Sequence, residues 1–321
     1  MAEMRRRRLG RSPVEVTELS LGGAPLGNLF GEVSEEAARS AVDAAWGGGI
    51  RAFDTAPHYG LGLSERRLGA ALRDRPRAQY AVSTKVGRVL EPVAPPYGTD
   101  TAGFAVRADH RRVFDFTADG VNRSLSDSLT RLGLDYVDIV LIHDPDSHGE
   151  QALREAYPAL EKLRAEGCVR AIGVGMNQAA MLSQFVRATD IDVVLVAGRF
   201  TLLDQSAAVE LLPAALERGV AVLAGGVFNS GLLAAPVVGA SYDYAAASAE
   251  LIGRARELES ICARYGIPLR AAAARFPLCH RAVTSVLIGA RSAAEVNDAL
   301  KLADMQIPAQ VWDAMGLGDF Q

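Results

Sequence analysis

An α/β fold, a single (β/α)8 TIM barrel with an N-terminal β-hairpin and long loops at its C-terminal face, is predicted by three observations. Short β-branched runs alternate with longer segments of helical period along most of the 321 residues, the pattern that βαβ units and a parallel sheet produce. The runs number about eight, which is what closing the barrel requires. No linker divides the chain, so residues 1–321 are expected to form one domain, a size that α/β barrels reach routinely.

The elements follow in order. Residues 7–19, turning at Arg11-Ser12-Pro13, read as a hairpin that plugs one barrel end before the first barrel strand, 18–21. Ser34 is placed as an N-cap, and Ala37, Ala41, Val42 and Ala45 make one helical face ending at Gly47-Gly48-Gly49. After the strand 51–54, Ser64, Arg67, Leu68, Ala71 and Leu72 mark a second helix. After the strand 80–85, Val121, Leu125, Leu129 and Leu132 mark a third, which stops at Gly133. The remaining strands are expected over 137–143, 171–175, 193–197, 220–224 and 285–288, and the remaining helices over 151–166, 178–189, 205–218, 247–265 and 293–303. Each helix buries one stripe against the sheet. Two connections are long. Residues 87–117 carry Pro92, Pro95, Pro96, Tyr97, Phe104 and Phe114; residues 225–246 carry Phe228, Tyr242 and Tyr244. Both follow strands, so both belong at the C-terminal mouth, where such loops cover a ligand.

Composition narrows the function classes. The chain is 49% hydrophobic and 22% charged, as soluble globular proteins are. Its formal net charge of −4 gives no basic field to attract nucleic acid or anionic lipid, and the run Arg5 to Arg8 reads as a solvated terminal strand. No signal-peptide pattern is present, and no apolar run approaches the ~20 residues that cross a bilayer. A cytoplasmic protein acting on a small molecule is expected, with neither nucleic acid nor membrane as partner. Cys168, Cys262 and Cys279 are odd in number and lack a CxxC pair, so neither a disulfide framework nor a zinc ribbon is indicated.

Three ionisable residues end consecutive strands: Asp54, Lys85 and His143. A barrel aims them into one mouth, where a strand-end polar residue is a catalytic candidate by position. Tyr59, in the stretch FDTAPHYG (residues 53–60), is placed to fold back over the same point. A phenol with a reference pKa near ~10 moves protons poorly at neutral pH. An adjacent ammonium, Lys85, favours its phenolate, and a carboxylate, Asp54, keeps that lysine charged. A neutral His143 donates a hydrogen bond to a substrate oxygen. Singly, each has an ordinary reading: a cap, a half-buried aromatic, a solvated strand end, a satisfied core histidine. Their joint placement favours catalysis. The run HDPDSH (143–148) also admits a metal-hydrolase reading through His143, Asp144, Asp146 and His148. Pro145 turns the chain between those histidines, and no metal is expected.

FDTAPHYG, then Ser83-Thr84-Lys85, then Leu141-Ile142-His143-Asp144 resemble the motifs of the aldo-keto reductase superfamily, in that order, and the resemblance covers nearly the whole chain. RRLGRSPVEVTELSLGGAPLG is similar to its N-terminal hairpin and first strand, and IGVGMNQ and LIGARSAAEV to its cofactor-binding segments. The resemblance implies a barrel that holds a nicotinamide cofactor at its mouth without a Rossmann domain; Gly22-Gly23-Ala24-Pro25-Leu26-Gly27 indeed has the wrong spacing for G-x-G-x-x-G. It implies Tyr59 as acid/base, Lys85 and Asp54 as the groups that tune it, and His143 as the group that orients the substrate. Carried over, cofactor contacts fall on Gly23, Asn177, Phe200, Gly225, Val227, Asn229, Gly289, Arg291 and Glu295, with Phe200 stacking on the nicotinamide. Ala24, Pro25 and His58 are expected on the substrate wall.

The pattern departs in places. Gly175-Met176-Asn177 stands where a Ser-Asn pair is usual, and Ala197 where a glutamine is common. Glu295 takes the place of a basic residue that pairs with the 2′-phosphate of NADP. A carboxylate there repels phosphate and accepts from a ribose hydroxyl, so NAD is expected over NADP, with Arg291 as a competing cation. In detail the sequence resembles the branch that contains L-fucose (D-threo-aldose) 1-dehydrogenase, L-galactose dehydrogenase and pyridoxal 4-dehydrogenase. That implies oxidation of an aldose of the L-fucose, L-galactose or D-arabinose type at C1 to the lactone. Pyridoxal oxidation or general aldehyde reduction is the alternative, and a cofactor-binding regulatory subunit without turnover is the reading of another class.

Overall fold

Barrel strands send side chains alternately inward and out toward the helices, and this alternation decides which residues meet. The computed structural model describes residues 4–95 and 98–318. Eight parallel strands close on themselves: β1 (Leu19–Gly22), β2 (Ala52–Asp54), β3 (Ala81–Val86), β4 (Ile139–His143), β5 (Ala171–Met176), β6 (Val193–Ala197), β7 (Ala221–Gly225) and β8 (Val283–Gly289). Closure runs from Val286↔Leu19 to Gly289↔Gly22 between β8 and β1. Every strand expected from the sequence is present.

The inward residues Ala52, Ala81, Ala171 and Ala221 begin their strands and are small, which leaves space at the N-terminal end. Leu9, Val14 and Val16 of the hairpin (Arg6–Arg8 paired with Glu15–Thr17) fill it and join the inner apolar cluster. The plug is as expected.

Most helices match their apolar stripes. Ser34 and Thr117 cap theirs by accepting from Ala37 N and Gly120 N, and Gly133, at φ +63, ends the third. The expected helix 205–218 is instead a 3-10 turn, Ser206–Ala208, followed by a helix over Leu211–Arg218. Pro213 explains the break, because proline is tolerated in a first turn but not in a helix interior. The helices Leu269–Arg275 and Ala309–Met315 are too short to show a period. The first long loop contains a hairpin, Arg88–Pro92 against His110–Phe114; its Pro96 and Tyr97 lie outside the described residues. Among the described residues no helix is long and apolar enough to cross a membrane.

Two polar devices shape the mouth. Arg67, among the residues that mark the second helix, is buried, and its guanidinium donates to Leu26 O, Asn28 Oδ1 and Val33 O, each at 2.7 Å. It thereby fixes the loop after β1. That loop meets FDTAPHYG closely at two glycines: a Cβ on Gly60, at φ +61, would stand 2.2 Å from Gly27 O, and one on Gly27 would stand 2.6 Å from Tyr59 C. Gly27→Ala is therefore expected to cost roughly 1–3 kcal/mol in urea unfolding and to lower kcat by about 10- to 100-fold through displacement of Tyr59. Wild-type kcat in this variant would show that the contact does not position Tyr59.

Candidate active site

The last inward positions of the strands divide the mouth in two. β2, β3 and β4 end there in Asp54, Lys85 and His143, whereas β1, β5, β6, β7 and β8 end in Gly22, Gly175, Ala197, Gly225 and Gly289. Polar side chains occupy one half, and the other carries only glycine and alanine. Over the bare half opens a cavity of about 590 Å³, walled by Gly22, Ala197, Gly225 and Gly289, with Asp54 and Tyr59 at its edge.

The polar half is tightly bonded. Lys85, 1% exposed, donates to Asp54 Oδ2 at 2.7 Å and Thr55 O at 2.9 Å. Ser83 Oγ donates to Asp54 Oδ1 at 2.6 Å. The ammonium also lies over the Tyr59 ring, 4.7 Å from its centroid. Burial pulls the lysine toward neutrality, but Asp54 and Tyr59 outweigh it and hold its pKa above the ordinary value. Burial pushes the Tyr59 phenol up to about 12; Lys85 opposes this, as expected, and Asp54 adds to it. Tyr59 is thus protonated at neutral pH, and the expected net pull toward the phenolate is corrected by the desolvation of the phenol.

His143 meets Tyr59 edge-on, with ring centroids 5.9 Å apart at 89°. Burial, then Arg88 and Lys85, holds its pKa well below the usual value, so the ring is neutral, as expected. Its Nε2 is 3.5 Å from Asp144 Oδ2, and its buried Nδ1 has no partner among the described residues.

Ten of the twelve expected cofactor and substrate residues, Gly23, Ala24, Pro25, Asn177, Gly225, Val227, Asn229, Gly289, Arg291 and Glu295, lie on the cavity wall. His58 and Phe200 do not. His58 sits behind His143, enclosed by Phe104 at 5.2 Å and by Arg88, whose Nη1 is 3.3 Å from Nδ1. Burial first, then Arg88 and Arg112, lowers its pKa to about 2, so it buttresses the site as a neutral ring. Phe200 is 1% exposed and packs on Phe276 at 5.0 Å, because the chain turns away at Gly198 (φ +71) after β6; stacking on a cofactor is not open to it.

The wall fits a dinucleotide on two observations. Its inner part is glycine-lined, and Asn229 has a buried Oδ1 without a partner among the described residues while its Nδ2 donates to Gly198 O at 3.3 Å. Farther along, Glu295 accepts from Arg291 N at 2.8 Å and from its guanidinium at 2.8 and 3.1 Å. Arg270 and Asp298, ion-paired on the same wall, were not anticipated. The i,i+3 spacing of Glu295 and Asp298 signals one helix face, but Arg270 belongs to a helix that shows no period. Phe30 and Tyr244 of the mouth loops also line the cavity. The metal reading finds no cluster: Asp144 is paired with Arg88 at 2.5 Å, His148 stacks on Phe114, and no group of three or more His, Cys, Asp and Glu among the described residues is arranged to hold an ion.

D-threo-aldose 1-dehydrogenase of Pseudomonas sp is 46% identical to this chain over 303 residues, covering 92% of each. Pyridoxal 4-dehydrogenase of Microbacterium luteolum is 41% identical, covering 97% of this chain and 96% of that protein. L-galactose dehydrogenase of Arabidopsis thaliana is 32% identical, covering 93% and 88%. These are members of the branch that the sequence resembles. Among solved structures, a glycerol dehydrogenase of Gluconobacter oxydans superposes with a TM-score of 0.76 at 22% identity, covering 100% of this chain and 95% of that one, a likeness of fold. The Aldo/keto reductase family model matches residues 18–316, a span that takes in every barrel strand and all four groups at the mouth, and the chain belongs to that family.

Proposed function

We propose that this aldo/keto reductase oxidises an aldose of the L-fucose, L-galactose or D-arabinose type at C1, giving the lactone with NAD as hydride acceptor. The observation that carries this is the buried Asp54–Lys85 pair with its ammonium over the Tyr59 ring and a neutral His143 at its edge, supported by the similarity to D-threo-aldose 1-dehydrogenase. A bound nicotinamide dinucleotide supplies the two-electron acceptor for the hydride that leaves C1. Tyr59, as phenolate, takes the anomeric hydroxyl proton; Lys85 compensates the phenolate charge, and Asp54 keeps Lys85 charged. His143 hydrogen-bonds the reacting oxygen. In the opposite direction Tyr59 is the acid that protonates a carbonyl oxygen.

NAD is favoured over NADP because Glu295 already satisfies Arg291. A 2′-phosphate would have to break that pair and face the carboxylate. The test is an NADH-absorbance screen of NAD+ and NADP+ against L-fucose, L-galactose, D-arabinose and pyridoxal. Turnover of at least one aldose, with higher kcat/KM for NAD+, is expected. Preference for pyridoxal would establish the second reading, which the 41% identical pyridoxal 4-dehydrogenase favours. Tight NADH binding with no turnover of any of the four would replace both with a cofactor-bound subunit.

A further inference from the structure

The second long loop returns one side chain to the reacting groups. Its short hairpin pairs Ser241–Tyr242 with Ala245–Ala246, and the two turn residues, Asp243 and Tyr244, have φ of +48 and +64. A two-residue turn of this shape prefers Asn-Gly or Gly-Gly. A bulky aromatic in the left-handed region is an outlier that persists only where its surroundings impose it, and such residues concentrate at functional sites. Here the surroundings are specific. Both carboxylate oxygens of Asp243 accept from Arg199, at 3.0 and 2.6 Å, and the Tyr244 N–H donates to Ser230 Oγ at 3.1 Å.

What the strained turn maintains is the position of one ring. Tyr244 lines the same cavity as Tyr59 and Asp54. Its ring is 5.9 Å from that of Phe30, which arrives from the loop after β1. Both are large aromatics left exposed, Phe30 at 59% and Tyr244 at 64%; burial first, then Asp144 and Asp243, raises the pKa of the Tyr244 phenol, which therefore stays protonated and able to donate. A rigid aromatic face with a polar tip suits a ligand that is apolar on one face and hydroxylated at its edge.

We propose that Tyr244 is a specificity-determining residue: its ring, beside Phe30, takes the apolar face of the sugar ring, and its hydroxyl pairs with a sugar hydroxyl remote from C1. The inference rests on the reading of the protein as an aldose dehydrogenase. It explains why the turn holds tyrosine where glycine fits without strain.

The test compares wild type with Tyr244→Gly and Tyr244→Phe, measuring kcat and KM for the best aldose, kcat/KM for reduction of propanal, the NADH Kd by fluorescence, and Tm. Tyr244→Phe should raise the aldose KM about fivefold to tenfold through loss of one hydrogen bond. Tyr244→Gly should raise it further, with a smaller loss on propanal, an NADH Kd within about twofold of wild type, and a Tm equal to or above wild type because glycine adopts this φ freely. An unchanged aldose KM in both variants overturns the assignment. So does a parallel weakening of NADH binding, which would make the turn a strap over the cofactor. If wild type oxidises no sugar, the aldose reading fails and this assignment with it; if wild type is active and the variants match it, only the assignment fails.

Discussion

Tyr59→Phe is expected to lower kcat by on the order of 10³-fold, the scale of one general acid/base, with the NADH Kd within about twofold of wild type. The substitution removes one oxygen and keeps the ring that packs against Phe104 and His143, so the fold should be unaffected. Lys85 keeps its bonds to Asp54 and Thr55. The pH dependence has a definite sign. With the phenol pushed up to about 12, mainly by burial, Tyr59 is protonated through the neutral range. Sugar oxidation needs the phenolate and should rise with pH from about 6 to about 10; aldehyde reduction needs the phenol and should stay level until the pH approaches the phenol's pKa. His143 and His58 are held neutral throughout and add no step near their usual range. Steady-state rates in both directions across that pH span check the pair of trends. A phenylalanine variant that keeps more than about a tenth of wild-type kcat, or oxidation that slows as pH rises, would remove Tyr59 from its role.

The barrel and its four polar groups were readable in the sequence for a simple reason. In a parallel barrel a strand-end position fixes both the end and the direction of a side chain, so Asp54, Lys85 and His143 converge whatever the connecting loops do. Tyr59 is five residues from Asp54, and its loop is clamped locally, with Tyr59 N–H donating to Ala56 O. The two misplaced residues depend on distant chain. His58 is taken off the wall by Phe104, Arg88 and Arg112, all from a loop whose hairpin pairs residues some twenty apart and shows no turn signal that aligns them. Phe200 is claimed by Phe276, on a 3-10 turn that follows an unpredicted helix. The state of Tyr59 was misjudged because the neighbouring charges are countable in a sequence and desolvation is not. Tyr244 was placed in a ligand-covering loop without a role of its own, for a related reason: its positive φ appears only once the turn is built.

Removing one member of the Asp54–Lys85 pair should cost both stability and turnover, whereas removing both should restore stability alone. Lys85→Met leaves the Asp54 carboxylate, 4% exposed, with Ser83 as its remaining side-chain partner. Asp54→Asn leaves a buried ammonium without its counter-charge. Each single variant is expected to lose about 3–5 kcal/mol in urea unfolding, the cost of an uncompensated buried charge. The double variant Asp54→Asn/Lys85→Met places an amide beside a thioether and should regain most of that loss, because a neutral replacement of a buried pair is often close to neutral in stability. The raised pKa of Lys85 stabilises the fold fully below the ordinary lysine value and loses that contribution only as pH rises through the folded-state value. Wild-type stability should therefore show no step from Lys85 near neutral pH. Turnover follows a different rule. Both variants that lack Lys85 have no cation beside the phenolate and should lose about 10²-fold in kcat, with the rise of oxidation displaced to still higher pH. A double variant as unstable as the singles would show that the site needs the charges for packing; a Lys85→Met protein with the wild-type pH profile would show that Tyr59 does not depend on the ammonium.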